Sequence, residues 1–181
     1  MRFQNYINEL SIKKNTDIKV KNASGTTYKA VITLNPELEY PESRWFSFKG
    51  RRFDIEDFED DWGSMSSKTF SKIEDIHGGK SGLNRWTKNI WEVIFSDEDS
   101  NTAQYELKDK KLAFQLFAGL QKVMINFLEK YNPDVWYFSA KTKEQSRIKL
   151  YNTITKKLKQ WYYVDIDNYR SDMLYLFWRK N

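Results

Sequence analysis

The basic side chains between residues 141 and 159 form the most strongly basic stretch of the chain. Seven basic residues stand there against Glu144 alone. A field of this sign favours anionic partners, such as phosphate groups, nucleic acid or an acidic surface. The sequence therefore predicts a patch that binds polyanions weakly, with a solvated lysine face as the alternative. The residues assigned to this anion-binding patch are Arg147, Lys149, Lys156, Lys157 and Lys159.

Aromatic residues flank this basic stretch and add single-stranded nucleic acid to its candidate ligands. Basic and aromatic side chains together can hold single-stranded nucleic acid, because bases stack on exposed rings. These aromatics fall in predicted strands, however, where at least half of them are expected to face a core. The residues concerned are Trp136, Tyr137, Trp161, Tyr162 and Tyr163.

Other chemistry is limited by the composition. The chain has no Cys and one His, which excludes disulfides, thiolate nucleophiles and multi-histidine metal sites. His77, beside Gly78 and Gly79, is a candidate base without an identifiable partner. The carboxylates between Asp54 and Asp61 could attract a divalent cation, but they lack the spacing of a calcium loop, so a solvated acidic face is favoured. We predict no metal site.

The length, composition and charge of the chain indicate its class and its domain organisation. Its 181 residues, 40% hydrophobic and 30% charged, are typical of a single globular domain, which we place at residues 11–181 after a short N-terminal segment, 1–10. No run of 18 apolar residues occurs, so no membrane association is predicted. Residues 101–181 hold 15 basic and 8 acidic side chains, a net charge of +7. The positive field therefore belongs to the C-terminal part.

The first half of the chain predicts strands and connections. Phe3, Tyr6, Ile7 and Leu10 give residues 1–10 the spacing of an amphipathic helix. Residues 11–25 are polar and end in a turn. Alternating β-forming residues predict strands at 28–34 and 91–95. A hairpin is predicted over 44–55, with its turn at Lys49-Gly50.

The C-terminal part predicts two main helices within a sheet. Apolar residues at helical spacing predict helices at 112–130 and 146–159. Strands are predicted at 135–139, 161–166 and 173–178, the last two joined by a turn at Asp167-Asn168. A helix between two strands of one sheet implies parallel neighbours, whereas the closing hairpin is antiparallel. The fold class is therefore α/β with a central mixed sheet.

This order of elements resembles the GNAT acetyltransferase fold over roughly residues 90–181. In that fold a strand leads into the pyrophosphate-binding helix, a second parallel strand and helix follow, and a strand pair closes the sheet. The segment Arg147-Ile148-Lys149-Leu150-Tyr151 is similar to the start of the family's second helix. The resemblance implies that Tyr151 is the general acid for the departing coenzyme A thiolate. The alternative is that Tyr151 packs in the apolar stripe of its helix.

The coenzyme loop departs from the family's pattern. GNAT loops carry glycines that let backbone amides approach the pyrophosphate, whereas residues 104–112 contain no glycine. Lys108, Lys110 and Lys111 could attract phosphates by charge. Glu92 and Asp97 are the candidates for a base. We therefore expect no cofactor, or acetyl coenzyme A if the chain is an enzyme.

The N-terminus carries a second resemblance. Phe3-x-x-Tyr6-Ile7-x-Glu9 is similar to the capsid-targeting peptides of internal head proteins in tailed bacteriophages, which are cut after Glu. Here the cut would separate Glu9 from Leu10. Phe138-Ser139-Ala140 and Ser146 to Tyr151 resemble segments of uncharacterised phage proteins. The alternative is an amphipathic helix that docks on the domain.

Three functions follow from these observations. The first is a phage-encoded GNAT-like protein with a degenerate cofactor loop, which binds a host or virion protein and is either packaged in the head or made early in infection. The second is an acetyl-coenzyme-A-dependent N-acyltransferase, and the third is a basic nucleic-acid-binding module. Because no apolar segment follows Arg2, no secretory signal is predicted, and we expect the host cytoplasm or the virion interior as location.

Overall fold

The computed structural model describes residues 16–37, 44–53, 89–97, 110–169 and 171–180, which contain seven strands and two helices. The seven strands belong to one mixed sheet in the order β1-β2-β3-β4-β5-β7-β6. This confirms the predicted α/β class and the two helices of the C-terminal part. The elements are β1 (Thr16–Ala23), β2 (Thr27–Leu34), β3 (Arg44–Phe53), β4 (Ile90–Asp97), α1 (Lys110–Tyr131), β5 (Val135–Lys141), α2 (Gln145–Leu158), β6 (Tyr162–Tyr169) and β7 (Asp172–Arg179).

The chain divides into two compact units. The first contains Met1–Lys49 and Ile94–Asn132, and the second contains Gly50–Val93 and Pro133–Asn181. The single domain over residues 11–181 stays a prediction, and the segment 1–10 lies outside the described residues.

In the first unit, α1 packs on the β1–β2 hairpin. The hairpin pairs Thr16 with Leu34 at one end and Ala23 with Tyr28 at the other. Gly119 permits the close approach of α1, because a Cβ atom there would lie 2.9 Å from Cγ2 of Ile32. The apolar stripe of α1 is largely buried, as its helical spacing predicts.

The C-terminal end of α1 is fixed by local chemistry. Asn132 adopts a positive φ of 41°, and its N–H donates to the carbonyl oxygen of Leu128 at 2.8 Å. A left-handed residue followed by Pro133 cannot continue a helix. The Tyr131 hydroxyl donates to the carbonyl oxygen of Ser24 at 2.7 Å, so the end of α1 also holds the β1–β2 turn.

In the second unit, β5 is the central strand. β4 runs parallel to it over the pairs Ile90–Val135 to Glu92–Tyr137, and β7 runs antiparallel along its whole length. The parallel pairing of β4 and β5 confirms the prediction for the first crossover, which runs from β4 through α1 to β5. The second crossover differs from the prediction, because β7 lies between β5 and β6. Since β7 is antiparallel to both, β6 runs in the same direction as β5.

Two predicted turns are wrong, and one strand was missed. Residues 44–53 form one continuous strand through Lys49-Gly50, since a buried position in a sheet can retain a glycine that local propensity assigns to a turn. Asp167-Asn168 also stays within β6. β1 was missed because only two apolar residues, Ile18 and Val20, alternate with polar ones in it, although its backbone pairs with β2 on both sides of an irregularity between Val20 and Asn22.

Candidate functional site

β5 ends next to the turn that leads into α2, the helix that carries Tyr151. The Arg179 N–H donates to the Asp134 carbonyl at 3.0 Å, and the Thr142 N–H donates to the Ser171 carbonyl at 2.8 Å. The N–H and C=O groups of successive residues in a strand point to opposite sides. These two bonds therefore imply that the N–H and C=O groups of the odd-numbered residues of β5 point away from β7. The parallel ladder with β4 ends at Tyr137. Ser139, two residues later, is exposed. Its N–H and C=O groups also point away from β7.

The turn after β5 is held by hydrogen bonds between its own residues. The Lys141 N–H donates to Glu144 Oε2 at 3.2 Å, and the Glu144 N–H donates to the Lys141 carbonyl at 2.9 Å. The Lys141 ammonium group lies 2.9 Å from Asp172, which joins the ends of β5 and β7. These contacts give the connection into α2 a defined geometry.

Tyr151, the acid implied by the resemblance, is enclosed in an aromatic cluster. Its side chain is 3% exposed, and its ring centroid lies 4.3 Å from that of Phe138 and 5.5 Å from that of Tyr175. Burial is the main cause that raises the pKa of Tyr151 to about 12, while the nearby Arg147 lowers it in part. The phenol therefore keeps its proton at neutral pH, but the packing restricts access to it.

Arg147 differs from the other members of the predicted anion-binding patch. It is 7% exposed, and its guanidinium lies 3.0 Å from Glu144 Oε2. Helical spacing could have shown this, because Arg147 stands four residues before Tyr151 and thus on the same face. The pair helps to position the start of α2.

The lysines of the patch differ in exposure, although Lys156, Lys157 and Lys159 were expected to be exposed together. Lys149, Lys156 and Lys159 are exposed, and Lys157 is half-buried. The sequence of α2 contains no acidic residue. This face of the helix therefore carries positive charge along its length.

The proposed base and the phosphate-attracting lysines are only partly described. Glu92 is half-buried, and its Oε2 atom lies 3.7 Å from Nη2 of Arg51. α1 begins at Lys110, and Lys111 is exposed. The remaining sequence-based candidates lie outside the described residues: Glu9, Leu10, the carboxylates between Asp54 and Asp61, His77 and Lys108, together with the side chains of Asp97 and Lys110.

Three polar contacts of the second unit were not predicted. The Tyr175 hydroxyl donates to Asn152 Oδ1 at 3.0 Å, Arg179 pairs with Asp134 at 2.7 Å, and the Lys180 ammonium donates to the Lys159 carbonyl at 2.6 Å. Each joins residues more than twenty positions apart, so no local pattern could have revealed them. Desolvation raises the pKa of Asp134, although Arg179 and Arg52 lower it in part.

Metal-binding and membrane-spanning features were also sought in the described parts of the chain. No group of three or more His, Asp or Glu residues there is arranged to hold a metal ion. Neither α1 nor α2 combines the length and apolarity needed to cross a bilayer. Comparisons of the chain with protein-family models, curated proteins and solved structures gave no match.

Proposed function

We propose that this chain is a GNAT-like protein that acts by binding a partner rather than by transferring an acyl group. The observation that carries the proposal is the packing of Tyr151, which is enclosed by Phe138 and Tyr175. A general acid must reach the leaving atom within hydrogen-bond distance. A ring held in the apolar layer between α2 and the sheet serves packing instead.

The arrangement of elements supports the GNAT-like part of the proposal. β4 leads to α1, β5 follows in parallel to β4, and α2 leads to an antiparallel closing pair. This is the order that the resemblance implies for residues 90–181. The absence of glycine from residues 104–112 supports a degenerate cofactor loop, since residues other than glycine carry side chains that compete with a pyrophosphate for access to backbone amides.

The partner that we propose is a protein of the host or of the virion. The resemblance of residues 1–9 to a capsid-targeting peptide supports packaging of the chain into a phage head. Helix-spaced apolar residues such as Phe3, Tyr6 and Ile7 are suited to a groove on a scaffold or protease. Packaging would place the protein in the virion interior, whereas synthesis without packaging would leave it in the host cytoplasm.

Acyl transfer remains the second candidate, and one observation favours it. The N–H and C=O groups of Ser139 point away from β7 beyond the end of the parallel ladder. An acyl acceptor could form hydrogen bonds with them there. In that case acetyl coenzyme A would be the cofactor, with Lys108, Lys110 and Lys111 near its phosphates and Glu92 as base.

Calorimetry with acetyl coenzyme A distinguishes the two candidates. We expect no binding in the micromolar range, which corresponds to about −8 kcal/mol. Micromolar binding, with turnover that falls in Tyr151→Phe, would overturn the proposal and establish the enzyme. Tyr163→Phe is the matched control, because it removes the hydroxyl of an exposed tyrosine.

A further inference from the structure

β1 lies at one edge of the sheet. It stands first in the strand order and pairs with β2 on one side. Among the strands that the structure describes, none pairs with its other side. The register with β2 is regular from Thr16 to Val20 and shifts between Val20 and Asn22. A regular tract of β1 therefore directs alternate backbone N–H and C=O groups outward, where another strand could bond to them.

The sequence of this tract is symmetric in character about its central residue. It reads Thr16-Asp17-Ile18-Lys19-Val20. β-branched side chains occupy both ends and the centre, and an acidic and a basic residue flank the centre. When two copies of the tract pair antiparallel about a two-fold axis, the central Ile18 lies opposite itself. Each Asp17 is then opposite a Lys19 of the other copy, and the two end residues are opposite each other.

One face of the tract is apolar and only partly covered by α1. A Cβ atom at Gly119 would lie 2.9 Å from Ile32 Cγ2 and 3.4 Å from Thr16 Cγ2, so Thr16 faces α1. Ile18 and Val20 share that face, because side chains two residues apart in a strand point the same way. Ile18 is half-buried, whereas Val20 is 52% exposed. A second strand on this edge would cover the exposed part of Val20.

The charged side chains of the tract lie on the opposite face. The Lys19 ammonium is 3.5 Å from Asp17 Oδ2, and the two side chains are 68% and 40% exposed. An ion pair between exposed groups contributes little by itself. A second copy in the symmetric register adds two cross-strand pairs of opposite charge, whereas a register that placed lysine opposite lysine would be opposed by repulsion. The charges therefore favour one register.

We propose that β1 pairs with β1 of a second copy of this chain, antiparallel and centred on Ile18, to form a two-fold dimer. The charge pattern identifies the occupant, because the tract holds one acidic and one basic residue and is complementary to itself. The paired tract is short, so the dimer should dissociate on dilution. The inference goes beyond the function proposed above, since it involves neither Tyr151 nor coenzyme A.

Exchanging the charges tests the register. Asp17→Lys and Lys19→Asp each place like charges opposite one another in both cross-strand pairs, and each should raise the dissociation constant of the dimer by roughly tenfold or more. Mixing the two variants should restore association, because every lysine then faces an aspartate. Sedimentation velocity over a concentration series measures the separate variants and their mixture. Lys149→Asp, a charge change at an exposed position of the second unit, is the control and should associate like the wild type.

Cross-linking tests the centre of the pairing. The chain has no Cys, so an introduced thiol can join only two copies. Ile18→Cys should form an intermolecular disulfide readily with oxidised glutathione, since residues directly opposite each other are within disulfide reach. Val20→Cys stands at a more exposed position but should cross-link more slowly. Its two thiols would lie about 13 Å apart, because four residues at about 3.3 Å each separate them along the strands.

Three results would each overturn the proposal. They are a wild type that stays monomeric at millimolar concentration, a mixture of the two charge variants that associates no better than either alone, and cross-linking of Val20→Cys as fast as that of Ile18→Cys. Circular dichroism melting curves establish that each variant is folded.

Discussion

Two basic residues of α2, separated by one position, have different roles. Arg147 is buried and paired with Glu144, whereas Lys149 is exposed. Loss of Arg147 leaves the Glu144 carboxylate with little compensation in a partly buried site, and such a group costs stability because it has been removed from water. Arg147 therefore belongs to the structure of the turn into α2, and the exposed lysines carry the surface charge.

The residue-scale prediction compares these two positions. Arg147→Met should lower the free energy of unfolding by about 1–3 kcal/mol, and Lys149→Met should change it by no more than about 0.5 kcal/mol. Urea unfolding followed by tryptophan fluorescence measures both. Adding Glu144→Leu to Arg147→Met should recover part of the loss, because the unpaired carboxylate is then removed. Equal effects of the two single variants would contradict the assignment of Arg147 as a buried ion-pair partner.

At the scale of the element, β6 is the last strand in the sheet order. The Lys180–Trp161 backbone bond implies that even-numbered residues of β6 direct their backbone outward. Two of these outward amides have side-chain partners: the Ile166 N–H donates to Asp165 Oδ1 at 3.0 Å, and the Asn168 N–H donates to Asp167 Oδ1 at 2.8 Å. Occupied amides and negative charge both oppose the addition of another strand.

The element-scale prediction removes these acceptors. The Asp165→Ala/Asp167→Ala variant should associate with itself more than the wild type at equal concentration, because two donors and the exposed Ile166 become available for pairing. Sedimentation velocity measures the association. Asp165→Asn/Asp167→Asn keeps the side-chain oxygens and loses only the charge, so it should associate less than the alanine variant. An alanine variant that sediments like the wild type would show that the carboxylates do not protect this edge.

At the scale of the whole molecule, buried tyrosines couple stability to alkaline pH. Tyr151, Tyr162 and Tyr175 of the second unit each have a pKa raised to about 12, with burial as the largest cause. The unfolded chain releases these protons near pH 10, the ordinary pKa of tyrosine, whereas the folded chain retains them. The unfolded state therefore binds fewer protons between pH 10 and 12, and stability falls as pH rises.

The prediction at this scale is alkaline unfolding. Tyrosinate absorbance at 295 nm and circular dichroism should change together between pH 10 and 12, with full stability below pH 10. Tyr151→Phe removes one buried phenol and should make stability fall less steeply over this range. Tyr163→Phe, at an exposed position, is the control and should leave the steepness unchanged. Tyrosinate formation with no loss of ellipticity would show that these hydroxyls are accessible in the folded state.

Elements whose patterns are local could be predicted from the sequence alone. The 3.6-residue spacing of apolar side chains identified α1 and α2, the continuous apolar run identified β5, and Asn132-Pro133 located the end of α1. The same spacing favours an exposed face for Lys156, Lys157 and Lys159, of which Lys157 is half-buried. These features are governed by neighbours within a few positions, which is the range that a sequence pattern records.

Features that depend on contacts between residues far apart in the chain could not be predicted from the sequence. Lys49-Gly50 became part of a strand, and β7 was placed between β5 and β6. Tyr151 was packed against Phe138 and Tyr175, and Tyr163 was left exposed beside Lys180. In each case the outcome depends on a pairing or contact between residues far apart in the chain. Local propensity cannot fix such contacts, because their free energy arises only when the sheet and its helices assemble.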